Sequence, residues 1–208
     1  WSALAMTADG RTLAASAYGG QLWLSHDSGS TWTPVETTRE WIAVGLSSDG
    51  RQIAAADKHG RIHGSEDGGQ TWTPRSAPGE WRSLAVSASG QFMVAGTDHG
   101  AVHFSDDYGH TWTPRASSEG AWYRVAISAD GQHVAAANSG SFAFTSDDWG
   151  ITWAQRFREG PVNSLTMSGD GLALALAIPM DGGLPDGKVH LSTDAGATWS
   201  SHLQDQTW

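Results

Sequence analysis

The chain has 208 residues, 12 Lys and Arg against 22 Asp and Glu, a formal net charge of −10, 12 Trp, 26 Gly and no Cys. So few cations argue against a phosphate-gripping surface, for nucleic acid or for anionic membranes alike. Disulfides and thiolate metal sites are excluded outright, and the longest apolar run, Leu172–Ile178, is far too short for a membrane span. Low charge with abundant Gly and Trp points to a turn-rich β protein.

In chain order the sequence divides into repeats 1–40, 41–80, 81–121, 122–161 and 162–208. A period of about 40 residues with apolar alternation of two argues for propeller blades over helical arrays. Each repeat opens on a strand with apolar pairs: Leu4 and Met6, Val44 and Leu46, Leu84 and Val86, Val125 and Ile127, Leu165 and Met167. A turn follows at Asp9-Gly10, Asp49-Gly50, Ser89-Gly90, Asp130-Gly131 and Asp170-Gly171. The second strand is small and apolar, as in Ile53-Ala54-Ala55-Ala56, which lets neighbouring sheets approach near an axis. The third strand enters an eight-residue turn, and the fourth leaves it. Pro34, Pro74 and Pro114 suit an outer edge, where a missing N–H is tolerated.

The eight-residue turn follows S-x-D-x-G-x-T-W in all five copies, the first being Ser25-His26-Asp27-Ser28-Gly29-Ser30-Thr31-Trp32. Its Asp and Trp pairs are Asp27 and Trp32, Asp67 and Trp72, Asp107 and Trp112, Asp148 and Trp153, and Asp194 and Trp199. The Asp accepts backbone N–H bonds, Gly supplies a positive φ, and Trp pins the turn to the sheet. This motif resembles the Asp-box, or BNR repeat, of sialidase-like β-propellers. At repeat level it also resembles the propellers of photosystem II assembly factors. The resemblance implies that the box joins third and fourth strands on the face away from a catalytic site, and that these residues are structural.

Four strands in each of five repeats lead to an all-β, five-bladed propeller as a single domain, with an incomplete piece of a larger ring as the alternative. Trp208 follows Trp199 by the interval that separates Trp41 from Trp32, so it is expected to help close the ring or to begin a sixth repeat. The chain starts on Trp1 inside the pattern, which suggests a removed leader or flanking domain, and an extracellular or periplasmic location is the expectation.

The loops joining second to third strands, and the links between repeats, share the face opposite the boxes and vary most. There Trp41, Trp81 and Trp122 open first strands, Glu40 and Glu80 precede two of them, and the loops carry Asp57, His59, Asp98 and His99. Flat aromatics beside carboxylates and imidazoles suit a sugar, so these nine residues are the candidate ligand contacts. The competing reading makes the three Trp packing residues between blades. His63, His103 and His190 recur at one third-strand position shared with Trp23 and Phe144, which favours packing over metal. Asp181 and Asp186 in the long fifth-repeat loop are a weak calcium possibility. No metal or cofactor is expected.

The sialidase catalytic pattern fails residue by residue. No Arg-Ile-Pro motif stands near the start, Arg82 and Arg124 do not make a triad, and Tyr18, Tyr108 and Tyr123 show no evident Glu partner. The inner strands lack Asp and Glu, leaving only Glu40 and Glu80 as a conceivable hydrolase pair. The expectation is therefore a non-catalytic, lectin-like module with a glycan partner. A protein-interaction scaffold is the alternative, and a glycoside hydrolase the second alternative.

Overall fold

The computed structural model describes residues 1–117, 121–179 and 187–202. The first repeat forms β1 (Ala3–Met6), β2 (Leu13–Ser16), β3 (Tyr18–Ser25) and the start of β4 (Thr33–Leu46). The second adds β5 (Ile53–Asp57), β6 (Ile62–Ser65) and the short β7 (Thr73–Pro74). The third holds β8 (Trp81–Val86), β9 (Met93–Thr97), β10 (Ala101–Ser105) and β11 (Thr113–Ser117). The fourth holds β12 (Trp122–Ile127), β13 (Val134–Asn138), β14 (Ala143–Ser146) and β15 (Ala154–Phe157). The fifth holds β16 (Ser164–Met167), β17 (Leu174–Ile178), β18 (Lys188–Ser192) and β19 (Ser200–His202). Every pairing is antiparallel between sequence neighbours.

The sheets number one of seven strands and three of four among the described residues, not five separate sheets. The cause is β4. Its link from Thr37 to Glu40 stays extended, so one strand pairs first with β3, Tyr18 opposite Glu40, and then with β5, Trp41 opposite Asp57. In the second repeat the Pro-Gly of Ala77-Pro78-Gly79 breaks the strand at that point, and β7 ends at Pro74.

Successive repeats stack face to face through their first strands: β1 on β4, β4 on β8, β8 on β12 and β12 on β16. The seams follow one rule. The small or aliphatic residues of one sheet meet the opening Trp, first-strand aliphatics and box Trp of the next. At the first seam Ala14, Leu22 and Leu24 meet Trp41, Val44, Leu46 and Trp72. At the second, Ala54, Ala56 and Ile62 meet Trp81, Leu84, Met93 and Trp112. Gly45 is required here, because a Cβ there would lie 2.7 Å from Val86 Cγ2. The inner turns are also laced together, as Ser48 N donates to Ala88 O, Ala88 N to Ala129 O and Ala129 N to Gly169 O.

The box turns carry more bonds than a single Asx turn. In the second copy Ser65 Oγ donates to Asp67 Oδ1, Gly69 N donates to Ser65 Oγ, and Thr71 N and Oγ1 donate to Asp67 Oδ1 and Oδ2. Trp72 Nε1 then donates to Gly69 O. All five copies repeat the Asp set. The residue before the Gly is left-handed as well, including Tyr108 and Trp149. The Asp-Gly turns hold a parallel device that was not singled out from sequence: Ser47 Oγ donates to Asp49 Oδ1 while Gln52 N donates to Ser47 Oγ.

The closed ring is not what the described residues form. No packing comparable to the four seams joins β16 to β1, and Trp208 lies outside the described residues, as do Asp181 and Asp186. Trp1 is 84% exposed, and Leu4 and Met6 are each 66% exposed. Their counterparts Trp41, Val44 and Leu46 are buried. Trp1, Leu4, Ala15, Trp23 and Trp32 line an open apolar cavity of about 690 Å³. Such a patch drives association in water. We expect the 208-residue chain to self-associate with rising concentration in sedimentation velocity, and a Leu4→Lys, Met6→Lys double variant to sediment as a monomer. A wild-type chain that stays monomeric at its highest soluble concentration would contradict this.

Candidate functional site

On the face opposite the boxes, each link is hooked to a loop of its own sheet. Lys58 N donates to Glu40 O, Asp98 N to Glu80 O and Ser139 N to Ala121 O, while Trp81 N donates to Lys58 O across the seam. These hooks bring Glu40, His59 and Glu80 together. His59 Nδ1 lies 2.6 Å from a Glu80 carboxylate oxygen, and its Nε2 lies 3.3 Å from one of Glu40. The imidazole therefore fills the gap between the two carboxylates.

The expected tryptophan platforms are corrected by their burial. Trp41, Trp81 and Trp122 are 0%, 4% and 2% exposed. They cannot offer a ring face to a ligand, because each plugs the seam ahead of its own sheet. Each also takes an edge-on aromatic partner from its third strand: His63 at 5.3 Å, His103 at 5.3 Å and Phe144 at 5.6 Å between centroids. Burial lowers the pKa of His63 and His103, so both are packed as neutral rings.

Asp57 and Asp98 are already engaged. Asp98 accepts from Arg82, which holds its carboxyl below the ordinary range, and Asp57 lies 4.0 Å from Arg39 Nη1. Tyr18 does have a carboxylate partner, Glu40, which the strand register sets opposite it. Hydrogen bonding to that carboxylate raises the Tyr18 pKa, the reverse of what a phenolate nucleophile needs. The exposed aromatic faces are also taken: Lys58 Nζ sits 5.7 Å from the Tyr18 ring centre, and the Arg82 guanidinium 5.4 Å from that of Tyr123. Sequence reasoning missed these cation–aromatic pairs because they join different repeats.

Beside this rim lies a cavity of about 710 Å³, in the seam between the second and third repeats. Glu80 and His99 line it, as expected contacts, but so do Trp81, Trp112, Arg61 and Arg75, most of which the sequence did not place there. The sequence signal was Ser76-Ala77-Pro78-Gly79, which stands where the first repeat has an extended link. Its effect is visible on the indole. Trp41 Nε1 donates to Thr37 O at 3.0 Å and Trp122 Nε1 to Gly100 O at 3.3 Å. Trp81 Nε1 is buried with no acceptor among the described residues. The carbonyl corresponding to Thr37 is that of Ala77, and it accepts from Ser76 Oγ instead. Gly79 packs close to the indole edge, and a Cβ there would lie 3.2 Å from Trp81 Nε1.

No protein-family model and no curated protein matches this sequence. Solved structures do resemble the fold. A GH74 enzyme from Niastella koreensis superposes with a TM-score of 0.76 at 18% identity, over 96% of this chain and 38% of its own. The GH74 xyloglucanase from Xanthomonas campestris gives 0.75 at 17%, over 98% and 38%. YCF48 bound to D1 peptide gives 0.61 at 18%, over 95% and 80%. The chain thus spans well under half the length of the two GH74 enzymes. At these identities the likeness is one of fold: the chain is an all-β propeller module.

Proposed function

We propose that this module binds ligand without transforming it, in a lectin-like manner, and that the five repeats act as five blade equivalents carrying Asp-box turns. The glycan sits in the seam cavity between the second and third repeats instead of on repeated tryptophan platforms. The carrying observation is the indole N–H of Trp81, buried without an acceptor among the described residues in the wall of a cavity of about 710 Å³. That volume falls within the range of small-ligand sites. Pro74, Pro78 and Trp112 supply apolar wall for sugar C–H faces, and polar groups are interspersed among them. Hydrolysis is disfavoured by geometry. A carboxylate pair that cleaves a glycosidic bond needs sugar or water between its members, and His59 occupies that place between Glu40 and Glu80.

A second reading, a protein-binding scaffold, draws on the rim. Tyr18, Lys58, Arg82 and Tyr123 make a mixed, partly exposed patch of the kind that contacts polypeptides, and one structural neighbour was solved with a peptide. A glycan array run with wild type and Trp81→Phe separates the two. Glycan signal that disappears in Trp81→Phe, with unchanged thermal unfolding, supports the seam site. A blank array, with a co-purifying protein released by Lys58→Glu, moves the assignment to the scaffold.

A further inference from the structure

The seam cavity has a surplus of hydrogen-bond donors. Besides Trp81 Nε1, the Nε of Arg75 is buried without an acceptor among the described residues. Arg75 spends its terminal nitrogens on Glu66 and on His110. Arg61 reaches across to Ser76 O at 2.6 Å, and among the described residues no carboxylate lies within ion-pair distance of it. The remaining side chains that line the cavity and can carry charge are His99, His103, His110 and Glu80. Glu80 is committed to His59, and His110 to Glu66. What this wall leaves unpaired among the described residues is the N–H of Trp81 and the Nε–H of Arg75, beside an Arg61 guanidinium that has no ion pair.

A hydroxyl both donates and accepts, but a carboxylate only accepts, and its bonds from N–H donors are charge-assisted. We infer that the seam cavity takes a carboxylate-bearing sugar, a uronic acid residue, with its carboxylate on the Trp81 indole N–H and within the field of Arg61 and Arg75. The inference rests on the glycan reading above and narrows it. Gly79 is the selectivity element on the ligand side, since a Cβ there would press on the indole edge at 3.2 Å from Nε1.

The test is isothermal titration of the whole chain with glucuronate- and galacturonate-containing disaccharides, against neutral disaccharides of the same linkage and against a short poly-glutamate peptide. The expected result is affinity for the acidic sugars at least about tenfold above the neutral ones, equivalent to about 1.4 kcal/mol. That preference should weaken in added salt and shrink in Arg61→Gln. Binding should be lost in Gly79→Ala, whose backbone φ is ordinary and whose unfolding temperature serves as the fold control. Equal affinity for neutral and acidic sugars overturns the carboxylate inference and leaves the glycan reading standing. Binding of the peptide as tightly as the acidic sugars overturns it as well, because charge alone would then be recognised. Binding of no saccharide at all removes both.

Discussion

Trp122→Ala is expected to lower stability by about 3–5 kcal/mol, the range for emptying a large aromatic site in a core, whereas Trp81→Phe should leave stability close to wild type. Both residues fill the same place in successive seams. Trp122 is packed by Phe144 and Trp153, and its N–H is satisfied by Gly100 O. Truncation empties the seam and orphans that carbonyl. At Trp81 the N–H has no partner to lose. Leaving a buried donor unsatisfied costs about 1–3 kcal/mol, so removing it offsets the smaller ring's lost packing. Trp41→Phe is the control. It loses the bond to Thr37 O and should destabilise more than Trp81→Phe. Chemical denaturation of the three variants measures the order, and a Trp81→Phe that costs as much as Trp41→Phe would show that its N–H is satisfied in solution.

Acid should unfold the protein in two stages. The box carboxylates of Asp27, Asp67 and Asp194 are held down to about 2 from an ordinary 3.8, chiefly by the hydroxyl of the Thr four residues on. Because the folded pKa is the lower one, the unfolded chain binds more protons between those values. The stability these groups contribute is present above about 3.8 and is lost as pH falls towards about 2. His63, His103 and His190 act earlier. Burial lowers each from 6.5, so the unfolded chain takes up their protons first and stability begins to fall below that pH. Thermal melts from pH 7 downward should show a gentle decline below 6.5 and a steep one below 4. A midpoint unchanged down to pH 3 would contradict this account. At neutral pH, Asp148→Ala should cost about 2–3 kcal/mol, since it removes the acceptor of bonds from Ser146 Oγ and from Thr152 N and Oγ1. Asp148→Asn should cost less, because one acceptor oxygen remains.

The turns were legible before any coordinates because their chemistry is local. Ser65, Asp67, Gly69, Thr71 and Trp72 satisfy one another within eight residues, so spacing alone exposes the device. The candidate site was only half legible. His99 and Glu80, read from the sequence as loop and link residues of one face, line the seam cavity, but the opening Trp of each repeat reads identically whether it faces water or a neighbouring sheet. A period-two pattern shows which residues share a face and is silent on what covers that face.

By itself, then, the sequence determined an all-β chain of repeated, self-bonded turns, since those depend on contacts a few residues apart. Tertiary structure decided how the repeats meet: that β4 runs unbroken through two of them, and that, among the described residues, Trp1 is exposed where Trp41 is buried and Trp81 alone of the three seam indoles lacks an acceptor. Those outcomes turn on the distance between one repeat's link and the next repeat's ring, and side chains some forty residues apart come within reach only when the sheets have stacked.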